Sequence, residues 1–462
     1  MLELKTKKDL AKDAHNLAKG NQMVRYRSTT YIPADFETGD TDVVPDPERT
    51  IWLPLSRDEI RLIAAERFGT LFGSDSELAA FDFMVAQNAR NETAAASTLL
   101  VRTESGLRQL TTNGTLAEVT GGFVPNTVHP MLVDDSAAKQ RVYDTIVGWL
   151  DDVDEAESLL HHLATILSPG VSAVKYVLLL GEGRNGKSLL LKMLSAVFGR
   201  ENVSNVTRQQ IAEQSPVVTE LNGKLLNIVY DGRAEYLKDS GTEKSLIAGE
   251  PAPIRRLYES TPTLVQTNAL FIEGLNREPK SNDKSAALQK RLVRFQFPNV
   301  YSLDHKFERL MLSDESLGAL LSLLIDHYVK DDEMASKLAP SVRSLELQLE
   351  HMYTNSFALQ FLKHVEEKDP LGVMGLLGLP IGDLAQQFQS WRIKENDLGS
   401  WGEPEVAALF TPLFNTERKS VRVGGSVRKV RVLTSLKEEA AAFLESLKGL
   451  EDDIAEAALV AE

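Results

Sequence analysis

The sequence predicts an α/β protein: a parallel sheet with helices on both faces, a helical N-terminal region, and a C-terminal winged-helix-like module. Three observations predict it. First, the apolar run Tyr176–Leu180 enters Gly181-Glu182-Gly183-Arg184-Asn185-Gly186-Lys187-Ser188, and Ser188–Phe198 then has helical spacing up to Gly199. The octapeptide fits G-x-x-x-x-G-K-[ST] at every fixed position, and a strand–loop–helix setting is the context that motif requires. Second, the buried-strand patterns Lys224–Tyr230, Asn268–Leu275 and Val293–Phe297 alternate with helical stretches. Third, three helical patterns are followed by a period-two stretch around Gly424-Gly425, the signature of a hairpin.

Composition bounds the classes available. The 462 residues allow about three domains, and 43% hydrophobic with 25% charged residues is ordinary for a globular chain. No apolar run reaches the roughly 18–20 residues that span a membrane. The first twenty residues read as a charged helix and not as a secretory signal. There are no cysteines, which excludes disulfides and thiolate chemistry and fits a reducing, cytoplasmic compartment. Lys and Arg number 51 against 66 Asp and Glu, a formal net charge of −15. Such a chain binds nucleic acid only where cations are concentrated locally.

Taken in order, residues 1–97 are expected to be mainly helical, with an acidic, turn-rich loop at Asp35–Glu48. Its Asp40 and Asp42 are best read as solvated charges. Ser56-Arg57-Asp58-Glu59 is a capping-box start for a helix running towards Phe72. Residues 98–170 form a pre-motor segment: short strands near Thr98–Arg102, Leu107–Leu110 and Leu116–Val119, then a helical collar with Val142, Ile146, Trp149 and Leu150 on one face. His161 and His162 lack partner ligands at metal-binding spacing and are assigned to packing or surface. Residues 171–300 are the core built around the glycine-rich loop.

The loop predicts nucleotide chemistry. Glycines let backbone N–H groups close on phosphate oxygens at a helix N-terminus. Lys187 is expected to reach the β- and γ-phosphates of ATP, and Ser188 to hold Mg²⁺. Asp231, at the end of a buried strand, is placed for the second metal contact. Asn276 ends the next strand, where it either orients the attacking water or caps the following turn. Arg291, at a helix–strand junction, is either a finger on a neighbouring nucleotide or a surface charge.

Residues 301–355 read as a helical lid or linker, 356–436 as the winged-helix-like DNA-binding domain, and 437–462 as an acidic helical tail. The hairpin concentrates Arg418, Lys419, Arg422, Arg428, Lys429 and Arg431. It is the densest basic cluster and the first choice for a duplex or phosphate contact. A hairpin whose charges merely discourage edge pairing is the alternative.

The series GEGRNGKS at 181–188, LNGKLLNIVYD at 221–231, EKSLIAGE at 243–250, PIRRLY at 253–258, the strand ending at Asn276 and LQKRLVRFQFP at 288–298 resembles superfamily 3 helicases. The likeness is to the helicase part of phage and plasmid primase-helicases and their poxvirus relatives. LTTNGTLAEVTGGFVPNTVHP at 110–130 resembles the segment preceding the motor in that family. The resemblance implies an AAA+-like P-loop core. It implies a homo-oligomeric ring, usually a hexamer, that hydrolyses ATP with Mg²⁺ and translocates on single-stranded or forked DNA. It makes Asp231 the Walker B acid, Asn276 sensor 1, Arg291 a trans finger, and Arg255 and Arg256 pore contacts with DNA. Where many relatives carry paired acids, this chain has Tyr230-Asp231-Gly232, so either Asp231 serves both roles or Glu235 reaches in. These residues leave no room for the N-terminal primase of many relatives, so priming is expected from a separate primase or polymerase or from a region outside this sequence. The expected function is thus an ATP-dependent DNA helicase of phage or mobile-element replication. The alternative is an ATP-dependent origin initiator or loader that binds DNA without processive unwinding.

Overall fold

The computed structural model describes residues 3–4, 6–26, 29–35, 38–43, 45–46, 49–91, 99–119, 124, 126–168, 175–232, 241–255, 262–278, 286–289, 291–330, 332–354, 356–369, 371–394, 402–423 and 426–461. They form two compact units, residues 1–283 with 290–341, and 284–289 with 342–462.

The first unit opens with helices Lys7–Gly20, Arg57–Phe68 and Asp75–Asn88, which enclose Leu10, Leu17, Ile60, Phe81 and Val85. Reciprocal capping boxes at Thr6/Asp9 and Ser56/Glu59 start the first two. The second stops at Phe68 and not near Phe72, because Gly69 turns into the left-handed region at φ 65°. These helices share the region with a four-stranded sheet, ordered Thr50–Leu55, Thr29–Asp35, Val24–Tyr26, Arg90–Asn91. That sheet departs from the helical expectation. Two of its strands have only 3 and 2 residues, too short to print a period on the sequence.

A second four-stranded sheet joins Thr127–Met131, Leu99–Thr103, Gly106–Leu110 and Leu116–Glu118 in that order. The last three are the expected pre-motor strands. Helices Ser136–Leu150 and Val153–Ala164 follow, capped by the side chains of Asp135 and Asp152.

The central sheet has five parallel strands: β1 (Tyr176–Leu180), β2 (Val203–Ser204), β3 (Leu226–Gly232), β4 (Leu270–Leu275) and β5 (Leu292–Gln296). Their order is β2-β3-β4-β1-β5. Every residue of β1 is buried, the reason it reads as an unbroken apolar run. One face of the sheet packs on Lys187–Phe198, the loop helix, and on the preceding helices, through Leu190, Leu194, Ile228 and Ile272. The other face buries charge. Arg208 donates to Glu243 at 2.6 Å and lies 5.5 Å above the Tyr176 ring, and Tyr176 donates to Glu273. From β1 the chain crosses to the far edge, returns through β3 and β4, then passes over β1 to β5. The strand order therefore reverses at β1, and the crevice beyond its carboxyl end is where such sheets bind ligands.

In the second unit, helices Val342–Thr354, Phe357–Lys368, Ile381–Lys394 and Glu403–Phe410 precede the antiparallel strands Phe414–Val423 and Ser426–Leu436. Phe361 meets Phe388, Trp391 and Phe410 with ring centroids 5.4, 5.5 and 5.8 Å away. The final helix, Glu438–Ala461, buries Ala440, Leu447 and Leu450 and pairs Lys448 and Glu451 with Glu366 and Lys363. It is an integral wall of this unit and not a loose tail. The longer stretch of the unit begins at Val342, inside the segment expected to be a lid.

Candidate nucleotide site

The glycine-rich loop leaves β1 by a tight reversal. Gly181 has φ 152°, and a Cβ there would meet Phe297 O at 2.5 Å. Gly186 has φ 96° and would drive a Cβ to 2.5 Å from the Trp149 ring. Both positions admit only glycine, for backbone and space together. Between them Arg184 holds φ 66°, an uncommon value for a non-glycine residue. Its carbonyl accepts from Tyr301 N at 2.8 Å, and Tyr301 Oη donates to Gly148 O at 2.5 Å. The loop is thus fastened to the helix before it and the segment after β5.

Lys187 begins the loop helix and is buried. Its ammonium donates to Gly181 O at 2.5 Å and to Asn185 Oδ1 at 2.9 Å. Asn185 in turn donates to Phe297 O. Burial pushes Lys187 down to about 8, with the Asp231 carboxylate opposing the shift. Ser188 is exposed beside it, and Asp231 and Asn276 are exposed at the carboxyl ends of β3 and β4. Lys187, Ser188, Asp231 and Asn276 line one cleft of about 870 Å³. Trp149, Tyr301, Leu303 and Phe307 also line it, alongside the Lys192–Glu308 ion pair at 2.7 Å. The volume is that of a small-molecule site.

Arg291 stands elsewhere. Its carbonyl accepts from Tyr176 N at 2.7 Å, at the entry of β1, whereas the loop leaves the other end. Five residues of strand separate them, ~16 Å at ~3.3 Å per residue. Arg291 therefore does not line this cleft. Arg255 is exposed after the strand Ala252–Ile254, which pairs antiparallel with Thr263–Val265. Glu235 and Arg256 lie outside the described residues. His162 is buried, donates from Nδ1 to Ser158 O at 2.8 Å and packs edge-on to Phe295, in keeping with a packing role. No cluster of three metal-ligating side chains occurs among the described residues.

On the second unit, Arg418, Lys419, Lys429 and Arg431 are exposed on the hairpin, and Arg422 and Arg428 stand in its strands opposite Val427 and Val421.

Sequence reasoning did not single out Trp149 or Tyr301 as site residues, since an aromatic on an apolar helix face or in a loop carries no functional spacing. It also passed over Glu278 and Arg294. Arg294 of β5 donates to both oxygens of Glu278, at 2.7 and 2.8 Å, and both side chains are buried. Glu278 lies two residues beyond Asn276. The pair thereby anchors the loop that carries Asn276.

Residues 179–291 match the model of a family of unknown function, DUF5906. No curated protein matches. Two solved structures, both apo forms of the NrS-1 C terminal region, are similar over most of the chain. One is 13% identical over 92% of this chain and 98% of its own, with a TM-score of 0.47. The other is 14% identical over 93% and 100%, with a TM-score of 0.43. Likeness at that level transfers no role.

Proposed function

We propose that the chain is a Mg²⁺-dependent ATPase with an AAA+-like P-loop core, working as a DNA helicase of phage or mobile-element replication. One observation carries the ATPase: Lys187, Ser188, Asp231 and Asn276, from three separated stretches, line a single cleft at the carboxyl edge of a parallel sheet. The helicase step rests on the motif series resembling superfamily 3.

The donor set fits Mg²⁺. That ion is usually held by one or two carboxylates with water and substrate phosphate, not by an all-protein cage, and Ser188 with Asp231 provides such a partial shell. Bound there, the metal would neutralise charge on the β- and γ-phosphate oxygens. The loop amides would hold the phosphates. The Lys187 ammonium would exchange the Gly181 carbonyl for phosphate oxygens, and Asn276 would orient the attacking water. Asp231 or Glu235 would accept the proton. Arg291 would act on the cleft of a neighbouring subunit, since its own is a strand length away. Arg255 and Arg256 would contact single-stranded DNA in the channel of a ring.

The deciding experiment is ATP hydrolysis without DNA, with single-stranded DNA and with duplex, run beside unwinding of a forked substrate. Single-strand stimulation with unwinding is expected. Hydrolysis without unwinding would favour the initiator or loader; no hydrolysis in any condition would overturn the ATPase.

A further inference from the structure

The sequence offers the hairpin's cations as one cluster; the strand register divides them. Arg418 lies directly opposite Arg431, and Ser420 opposite Lys429. Positions two apart on a strand share a face, so Arg418, Arg431 and Lys429 are neighbours on one side of the ribbon. All three are exposed, and among the described residues no carboxylate pairs with them. Lys419 belongs to the other side, where Glu417 on the same strand neutralises it at 2.5 Å.

Like charges placed directly opposite each other destabilise a sheet. Here an Arg–Arg pair is kept without a compensating acid among the described residues. That arrangement suits an external polyanion.

The chemistry narrows the polyanion. Residues 416–432 contain no Phe, Tyr, Trp or His. Proteins that hold single strands stack bases on aromatic side chains, and this ribbon has none to offer. A two-stranded ribbon fits the ~12 Å major groove of B-form DNA, whereas the deep, narrow major groove of A-form RNA excludes side chains. With only cations and small polar or branched groups, its contacts fall on phosphates and carry no base specificity.

We propose that the Arg418–Arg431–Lys429 face is a duplex-DNA phosphate clamp, distinct from the single-strand contacts at Arg255 and Arg256. It rests on the reading that this chain acts on DNA, and it assigns duplex as the hairpin's ligand.

The test uses the whole chain without nucleotide. Fluorescence anisotropy would follow a labelled short duplex and a labelled oligo-dT of equal length across a KCl series. The Arg418→Ala/Arg431→Ala double variant is expected to lose about tenfold or more in duplex affinity and about 2 in salt slope. Its oligo-dT affinity should change less than about twofold, and Lys419→Ala should cost duplex less than about twofold. The double variant should melt at or above the wild-type temperature, because a repulsion has been removed. Wild-type duplex affinity in the double variant would overturn the clamp, as would equal loss of both DNAs. Aggregation with duplex affinity intact would assign the charges to edge protection. Displacement of duplex by polyglutamate at matched charge would instead indicate an acidic protein partner. Absence of ATP hydrolysis would overturn the ATPase reading and leave these binding results intact.

Discussion

At the scale of single residues, the site depends on groups that hold other groups. Lys187 is the proposed phosphate contact: Lys187→Ala is expected to lower turnover by at least ~10²-fold in a phosphate-release assay, since on that reading one charged donor at the transferring phosphoryl group is lost. Glu278 and Arg294 act at one remove. Breaking a buried bidentate pair costs about 3–5 kcal/mol, so either single variant should melt early. The double variant Glu278→Leu/Arg294→Met removes both charges and should recover most of that loss. If the pair positions Asn276, turnover in the double variant stays at least ~tenfold low while KM is little changed. Full recovery of turnover would make the pair structural only. His162 supplies a pH signature. Burial, with Lys175 and His161 nearby, pushes it down to about 4 from 6.5, although the Ser158 carbonyl partly opposes the shift. The folded state thus favours neutral imidazole, and the unfolded chain binds more protons between pH 4 and 6.5. Stability from this group is complete above pH 6.5 and is lost as the pH falls towards 4. The amount is about 3 kcal/mol by linkage. His162→Leu should flatten that part of the acid limb in urea melts recorded at several pH values; an unchanged slope would assign the loss to carboxylates.

At the scale of elements, the loop between β1 and the loop helix is held by geometry as much as by sequence. Gly186→Ala meets both a positive φ and the Trp149 ring. Its expected outcome is loss of nucleotide binding by calorimetry with little change in helix content by circular dichroism. Binding retained at wild-type affinity would mean that Trp149 yields. In the second unit, Phe388 sits among Phe361, Trp391 and Phe410. Phe388→Ala should cost about 3–5 kcal/mol through cavity formation and lost edge-to-face contacts. The hairpin, whose base is set in that core through Phe414, Val432 and Leu433, should then lose its order as well.

At the scale of the whole molecule, the proposed finger role of Arg291 makes the strongest demand on assembly. A residue at the entry of β1 reaches a phosphate at the exit of β1 only in a second copy of the chain. Arg291→Ala should therefore bind ATP normally yet turn over poorly. Mixing it with Lys187→Ala should restore part of the activity, because each mixed interface can pair an intact cleft with an intact arginine. Turnover that stays absent at every mixing ratio would argue against action in trans.

Local chemistry made much of this protein legible. The glycine-rich loop, the Ser56–Glu59 capping box and the buried strands were readable because each is specified by neighbours in the chain: a glycine that alone tolerates its φ, a hydroxyl three residues before its acid, an apolar run with no polar face. Asp231 and Asn276 were found the same way, as the residues ending buried strands. Tertiary structure decided what depends on distant partners. It brought Trp149 and Tyr301 against the loop, joined Arg294 to Glu278, put Arg291 at the far end of the sheet, and built the N-terminal sheet in part from strands too short to show a period. It also set Arg418, Lys429 and Arg431 on one face of the hairpin and paired Lys419 with Glu417 on the other. Sequence spacing encodes which residues can share a strand or helix face. Which strands lie side by side, and in what register, is settled only when the buried faces pack.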